Sequence, residues 1–220
     1  MDARVDLAAR LKSATHELHA RAERSGVMAD LLAGRISRRA YVALLANLHA
    51  IYAAMEAAID ATIAREHRPS CFAVLARTAA LASDLRAFGV ESVPAPLPQA
   101  LAYVARLRRL RGRQAHRLWA HLYVRSLGDL HGGQVLGRLV REQFAIADST
   151  RFYDFGSSDD VRSLRESLRA RLSSLSLDAQ REDDVVAEAV WAFEAHVAMF
   201  EELRGEELRG DAAAAEEGHR

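Results

Sequence analysis

The apolar periodicity of an α-helix runs through Tyr123-Val-Arg-Ser-Leu-Gly128-Asp129-Leu-His-Gly132-Gly133-Gln-Val-Leu136, yet three glycines lie in its middle. Each interior glycine costs a helix roughly 1 kcal/mol relative to alanine, so this segment gives up stability for another property. Glycine has no Cβ, and its usual advantage is a close approach of the backbone to a partner. Gly128 and Gly132 lie one turn apart and open the same face, with the Asp129 carboxylate beside it. The pattern predicts a helix that lies over a planar ligand.

The composition favours an all-α protein. Half of the 220 residues are hydrophobic, only 6% are aromatic, and the helix formers alanine, leucine and arginine dominate. Long alternating runs of β-branched residues, which would predict strands, do not occur. We therefore expect one all-α domain over residues 1–208, followed by a disordered, frayed tail over 209–220 that is rich in alanine and glutamate.

Apolar stripes and helix breakers divide the chain into amphipathic segments. Ser37 and Asp178 precede two of these segments and are the expected N-caps. The periodicity predicts helices over residues 3–24, 27–32, 37–64, 71–88, 98–110, 113–145, 159–175 and 179–204.

Charge and cysteine content exclude several classes of protein. A formal net charge of zero argues against a nucleic-acid partner bound through phosphates. One cysteine, Cys71, excludes an intramolecular disulfide and a cysteine-rich zinc site. The N-terminus lacks the apolar region of a signal peptide, and we find no apolar stretch near the roughly 20 residues that span a bilayer. We expect a cytoplasmic monomer without a membrane partner.

A second motif lies in the first helix, where His19 falls at the edge of the apolar stripe. Lys12 is seven residues earlier on nearly the same flank, which is roughly 10 Å along the axis. A metal held by His19 would therefore lie at the centre of a large ligand whose anionic edge reaches Lys12. Glu23 follows one turn later and is placed to orient the imidazole. Taken singly, each of these residues is more often an ordinary packed or solvated side chain.

Together the two motifs resemble those of the heme oxygenases. They read Leu-Lys-x-x-Thr-x-x-x-His-x-x-Ala-Glu over residues 11–23 and Tyr-x-Arg-x-Leu-Gly-Asp-Leu-x-Gly-Gly-Gln over residues 123–134. The similarity extends from about residue 5 to 204 and implies a domain that sandwiches heme b between a proximal and a distal helix. It also implies that heme is both cofactor and substrate. The implied products are biliverdin, carbon monoxide and ferrous iron, formed with O₂ and electrons from an external reductase, usually ferredoxin or flavodoxin with its NADPH reductase.

The resemblance also assigns roles to individual residues. His19 takes the place of the axial ligand of the heme iron, and Gly128, Gly132 and Gly133 match the glycines on which the porphyrin lies. Asp129 matches a distal aspartate that orders water without touching the iron. Tyr52, Tyr123 and Arg125 match polar positions of the distal side. Arg165 and Arg169 match basic positions that meet the propionates. The other positions expected in the heme site are Lys12, Glu23 and Phe193.

Four positions depart from the family pattern. His131 stands where a small residue is common, and we expect its side chain to point away from the heme; the alternative is that it reaches the iron or the distal water and changes the resting ligation. Ser126 replaces a frequent tyrosine, His196 stands where an asparagine is common, and His16 occupies the position of a second basic residue. These changes affect the expected water network and the position of ring opening, and they leave the heme site itself in place.

Three other functions remain as alternatives. The first is a heme-binding or heme-trafficking protein without catalysis, for which the acid at Asp129 would be unnecessary. The second is a di-iron oxidase, but that chemistry needs repeated Glu-x-x-His pairs, and Glu194-Ala-His196 has the wrong spacing. The third is a hydrolase of the thiaminase type with Cys71 as nucleophile, although no histidine is obviously arranged beside it.

Overall fold

The part of the chain that the structure describes is built from helices and the segments that connect them. The structure, a computed structural model, describes residues 6–62, 72–146 and 148–217, with side chains as far as Asp211, and these residues contain no β-strand. The all-α prediction is therefore confirmed. The α-helices are α1 (Leu7–Glu23), α2 (Gly26–Leu32), α3 (Arg38–Thr62), α4 (Phe72–Leu75), α5 (Thr78–Ala87), α6 (Pro98–Arg109), α7 (Leu118–Leu122), α8 (Gly128–Phe144), α9 (Ser158–Ser173) and α10 (Ala179–Glu217). The described residues also form two 3₁₀ helices (Gly112–Arg117 and Arg151–Tyr153) and a π-helical segment (Tyr123–Leu127).

Helix α3 is at the centre of the core. It packs against α5, α6 and α10, while α1 lies along α10. Its predicted apolar stripe is buried, and each such side chain contributes about 1.5–3 kcal/mol when it leaves water; the stripe consists of Tyr41, Leu44, Leu45, Leu48, Tyr52 and Met55. Contrary to our expectation from the sequence, α3 is long and apolar enough to cross a membrane by length and composition, a test that core helices of soluble proteins also pass.

Gly26 allows α2 to lie directly against α10. Its φ of +47° is in the left-handed region, and a Cβ built there would lie 2.0 Å from the carbonyl oxygen of Phe200. The Gly26 N–H also donates a hydrogen bond of 3.0 Å to Glu201 Oε1. This close contact fixes α10, which carries Phe193 and His196, against the α1–α2 pair.

A buried ionic network joins α10 to α6 and α7. The fully buried Glu188 carboxylate accepts hydrogen bonds from Arg106 Nε at 2.8 Å, His121 Nε2 at 3.2 Å and Arg117 Nη1 at 3.3 Å. The Tyr103 hydroxyl bonds the other ring nitrogen of His121 at 2.8 Å. Although burial alone would raise it, the hydrogen bonds from Arg106 and His121 lower the pKa of Glu188 to about 2. The network holds α7, and with it the start of the glycine-bearing segment, in a fixed position.

Both expected N-caps are confirmed. Ser37 Oγ accepts the N–H of Ala40 at 3.1 Å, and Asp178 Oδ1 accepts the N–H of Arg181 at 2.8 Å. Each bond satisfies one of the free N–H groups at the start of a helix.

Three helix boundaries differ from the prediction. The helix predicted over 71–88 is broken at Ala76–Arg77, because Glu56 Oε1 on α3 captures the backbone N–H groups of Arg77 and Thr78 at 2.7 and 3.0 Å. The segment predicted as one helix over 113–145 changes from 3₁₀ to α, then π, then α. The last helix continues to Glu217, through most of the segment expected to fray after 208. Residues 63–64 and 71, the predicted ends of two helices, lie outside the described residues.

Candidate functional site

A cleft opens between α1 on one side and the π segment with the start of α8 on the other. It consists of two adjoining cavities of ≈ 410 and ≈ 310 Å³. We call the larger one the Lys12 cavity and the smaller one the Asp129 cavity, after a residue that lines each. They form one cleft because they share the wall residues His19, Val124, Gly128, His131 and Phe193.

The glycines predicted to open a helix face do so at Gly128 and Gly132. A Cβ built on Gly128 would meet no atom within 4 Å, and one on Gly132 would meet only Leu136 Cδ1 at 3.9 Å. Both residues line the cleft, so their backbone faces empty space. The π segment Tyr123–Leu127 ends directly before Gly128, and such turns are frequent at functional sites. The sequence did not predict this turn.

Gly133 is different from the other two glycines. It lines neither cavity, and a Cβ built there would contact the Tyr153 carbonyl oxygen at 3.6 Å and the Tyr153 side chain at 3.7 Å. Gly137, one turn further along α8, also faces Tyr153. That Gly133 lies against the ligand stays a prediction: here Gly133 faces Tyr153 on the second 3₁₀ helix, and a Cβ there would make only ordinary contacts.

His19 stands across the cleft from these glycines. Its side chain is 48% exposed, and its ring meets the Phe193 ring edge-on at a centroid distance of 5.9 Å. Glu23 lies one turn later with Oε1 3.6 Å from His19 Nδ1, close to the imidazole but beyond hydrogen-bond distance, so its orienting role stays a prediction. Lys12 lines the Lys12 cavity on the same helix, and Glu23 lines the Asp129 cavity.

The carboxylate of Asp129 belongs to a buried cluster, of which Asp129 and Arg125 line the Asp129 cavity. The Tyr52 hydroxyl donates a short hydrogen bond to Asp129 Oδ2, and Arg125 Nη2 donates one of 2.8 Å to Oδ1. Asp129 is 8% exposed, and burial raises its pKa, although the Arg125 charge and the Tyr52 hydrogen bond oppose the rise. The three residues predicted for the distal side are thus brought together in one cluster.

His196 lines the Asp129 cavity and carries a buried ring nitrogen without a partner in the described part of the chain. Its Nδ1 donates to the Ala192 carbonyl at 2.7 Å, since that oxygen can only accept, and its buried Nε2 has no hydrogen-bond partner among the described residues. Burial and the nearby Arg125 charge lower the pKa of His196 to about 3. The ring is therefore neutral and acceptor-bearing. The sequence identified this position only as a departure from the family pattern.

His131 lines both cavities, so its side chain is at the cleft, and that it points away from the heme stays a prediction. It is three residues after Gly128, about 60° away on the helical wheel, and that spacing already places it near the same face. Its ring bonds Leu127 and Arg169, and Arg169 itself lines the Lys12 cavity.

Of two further predicted residues, Tyr123 lines the cleft and Arg165 does not. Tyr123 lines the Lys12 cavity, and its hydroxyl donates to Thr15 Oγ1 at 3.1 Å, because the Thr15 hydroxyl is already donated to the Leu11 carbonyl. Burial raises the pKa of Tyr123. Arg165 is half-buried on α9 and lines neither cavity, so it contributes positive charge at a distance and no wall.

Within the described ranges, no group of three or more His, Cys, Asp or Glu side chains is arranged to hold a metal ion. Cys71, the nucleophile of the hydrolase alternative, lies outside these ranges.

Comparisons with known proteins place this architecture in one family. The family model described as heme oxygenase matches residues 5–202. The chain is 34% identical to the heme oxygenase of Porphyra purpurea, over 90% of this chain and 86% of the relative, and 35% identical to heme oxygenase 1 of Rattus norvegicus, over 90% and 72%. Among solved structures, heme oxygenase-1 from the cyanobacterium Synechocystis sp. in complex with heme superposes with a TM-score of 0.85 at 29% identity, covering 98% of this chain and 100% of the other. Heme oxygenase-2 from Synechocystis, in complex with heme and NO, also gives a TM-score of 0.85, at 33% identity over 90% and 85%.

Proposed function

The chain belongs to the heme oxygenase family, and from that premise we propose that it opens heme oxidatively to biliverdin, with release of carbon monoxide and ferrous iron. The observation that carries this proposal is the cleft itself. A bare backbone at Gly128 and Gly132 lies on one side and the imidazole of His19 on the other. Such a cleft fits a flat group with a metal at its centre, because a Cβ at either glycine would fill space that the group needs.

His19 is the residue that would hold the iron, as a neutral imidazole, and Glu23 is placed to orient its ring. Lys12 and Arg169 line the Lys12 cavity and would meet the two propionates. Arginine suits a carboxylate especially well, because its donors form a planar fork. Phe193 packs beside the imidazole and adds an apolar wall.

Bound heme supplies the iron at which O₂ is activated and is also the substrate whose ring is opened. The protein contributes the proton supply and a dry environment. Asp129 is a buried carboxyl with a raised pKa, which brings it closer to the operating pH of a proton donor. Tyr52 and Arg125 hold that carboxyl in place, so it would act through water and not by direct contact with the iron.

His196 extends this arrangement on the opposite wall of the Asp129 cavity. Its neutral ring lines this cavity, and its buried Nε2 has no hydrogen-bond partner among the described residues. The rest of the cavity is largely apolar and keeps other water out; its walls include Met28, Leu44, Leu48, Phe152 and Phe200. We propose that O₂ and electrons come from outside the protein, with ferredoxin or flavodoxin and its NADPH reductase as donors to a cytoplasmic monomer.

The test is to add one equivalent of hemin to the purified protein and then ascorbate or a ferredoxin system in air. We expect the Soret band to decay, a carbon monoxide adduct to appear on the way, and a bilin band to grow; chromatography of the bilin gives the cleavage position. A stable Soret band without bilin would contradict the proposal and support the heme-binding alternative. The same reaction under nitrogen is the control, since no ring opening is expected without O₂.

A further inference from the structure

His131 is held in one tautomer by the end of the π segment. Its Nδ1 lies 2.6 Å from the carbonyl oxygen of Leu127, which can only accept, so Nδ1 carries the proton. Its Nε2 is then an acceptor. Burial lowers the pKa of His131, and the positive charges of Arg165 and Arg169 lower it further, against the opposing effect of the Leu127 carbonyl. The ring therefore stays neutral and keeps its acceptor.

That acceptor is used by Arg169. Arg169 Nη2 lies 3.2 Å from His131 Nε2 and donates to it across the space between α9 and α8. Both residues line the Lys12 cavity, and His131 also lines the Asp129 cavity. The bond ties a guanidinium on the exposed surface of α9 to a ring that is fixed on the cleft wall. A long arginine side chain loses much rotational freedom when it is held in this way.

We propose that His131 is a positioning residue that fixes the Arg169 guanidinium at the mouth of the cleft and thereby determines the in-plane orientation of the bound substrate. This inference rests on the proposed function for the identity of that substrate. Heme is a nearly symmetric disc whose carboxylates lie along one edge. The cation that receives them sets which edge carbon faces Gly128 and Asp129. Arg169 retains further N–H groups for a carboxylate after it has donated one to His131.

The hydrogen-bond acceptor Nε2 distinguishes a positioning role of His131 from a purely steric one. A side chain of the same size without an acceptor would leave Arg169 free to turn into solvent. A side chain with an acceptor of similar reach would keep it in place. We therefore compare His131→Phe, which keeps a ring, with His131→Gln, whose amide oxygen can accept from Arg169. Arg169→Met and the His131→Phe/Arg169→Met double variant complete a double-mutant cycle.

Each protein is titrated with hemin and with hemin dimethyl ester, which lacks the carboxylates, and the bilin isomers are then separated. We expect His131→Phe to weaken hemin binding by about 3- to 10-fold, the net contribution of one ordinary hydrogen bond, because His131 acts through Arg169 and not on the ligand itself. It should also broaden the isomer distribution. His131→Gln should restore most of the hemin affinity and of the isomer pattern. The double variant should bind hemin no more weakly than Arg169→Met. His131→Phe and the natural protein should bind the dimethyl ester with equal affinity.

Additive effects of the two substitutions, or equal losses with hemin and with the ester, would overturn the inference. So would an unchanged affinity and isomer pattern in His131→Phe. A protein that binds hemin with the expected coupling but forms no bilin would contradict the proposed function and leave the positioning role in place. A natural protein that does not bind hemin would overturn both.

Discussion

The two walls of the cleft are built in opposite ways. On the α1 wall, His19 is half-exposed on a regular helix, and its neighbours are one carboxylate and one phenyl ring. On the α8 wall, a π turn runs into bare glycines, and Asp129 is buried with a tyrosine and an arginine on its two oxygens. The first wall offers a ligand that can be removed without loss of structure. On the second wall, the bare glycines determine the shape and the buried hydrogen-bond partners of Asp129 determine the environment of its carboxylate.

The largest effect that would separate the two walls is expected for His19→Ala. Replacing even the outer partner of a metal-ligating histidine costs about 10- to 100-fold, so loss of the ligand should cost more than about 100-fold in turnover. Because His19 is half-exposed, the free energy of unfolding without heme should change by less than about 0.5 kcal/mol. Heme spectra, turnover and urea unfolding measure these values, and added imidazole should restore part of the activity. An unchanged heme spectrum and unchanged turnover would refute the ligand assignment.

A smaller and more selective loss is expected for Asp129→Asn on the opposite wall. The side chain keeps its shape but cannot supply a proton, so bilin formation should fall by about 100-fold, the lower end for general acid catalysis. Hemin affinity should stay within about threefold, since the carboxylate lies behind the glycine face. Optical titration and the yield of bilin per hemin consumed distinguish the two properties. A normal bilin yield would remove Asp129 from the proton supply.

Gly128→Ala tests whether the bare backbone is there for the ligand. Without heme the new Cβ meets no atom within 4 Å, so the variant should be up to about 1 kcal/mol more stable. With heme it should overpack the cleft and weaken binding by about 10-fold. Gly133→Ala is the matched control, because Gly133 lines neither cavity and its Cβ would make only ordinary contacts with Tyr153. Equal hemin affinities of the two variants would show that the bare backbone at Gly128 is not needed for the ligand.

The smallest expected effect concerns the dependence of stability on pH. The pKa of His196 is lowered to about 3 in the folded protein, so the unfolded chain takes up a proton below its ordinary pKa that the folded chain does not. Stability is complete above the ordinary pKa of about 6.5 and falls as the pH drops toward 3. When the pH is lowered from 7.5 to 5.5, the free energy of unfolding of His196→Asn should therefore fall by about 1 kcal/mol less than that of the natural protein.

Urea unfolding of the heme-free proteins at these two pH values measures the difference. Glu188 also makes the protein less stable as the pH falls, but over a lower range of pH. Its lowered pKa of about 2 gives stability that is present above its ordinary pKa of about 4.5 and is lost below it. Parallel losses in the natural protein and His196→Asn from pH 7.5 to 5.5 would mean that His196 is protonated or exposed in the folded state.

The sequence predicted much of the α1 wall and the general character of the α8 wall. His19, Glu23 and Lys12 share one side of a regular helix, so spacing alone placed them together. The sequence also shows that Gly133 and Gly128 face different directions, since five residues correspond to about 140° on the helical wheel. Helix periodicity was sufficient for these positions.

Other features depend on contacts that spacing does not reveal. The break before α5 arises because Glu56, on another helix, captures two backbone N–H groups. The hydrogen bond between His131 and Arg169 joins residues 38 apart in sequence. The π turn before Gly128 has no composition of its own that would distinguish it from an α-helix. Such features become visible only when helices are packed together.

A crystal structure of the protein with ferric heme tests the two-wall account most directly. We predict an iron–nitrogen bond to His19, the porphyrin lying on the backbone of Gly128 and Gly132, and Asp129 separated from the iron by water. Arg169 should contact a propionate while it still donates to His131. Iron bound by His131, or heme placed outside the cleft between α1 and α8, would contradict the account.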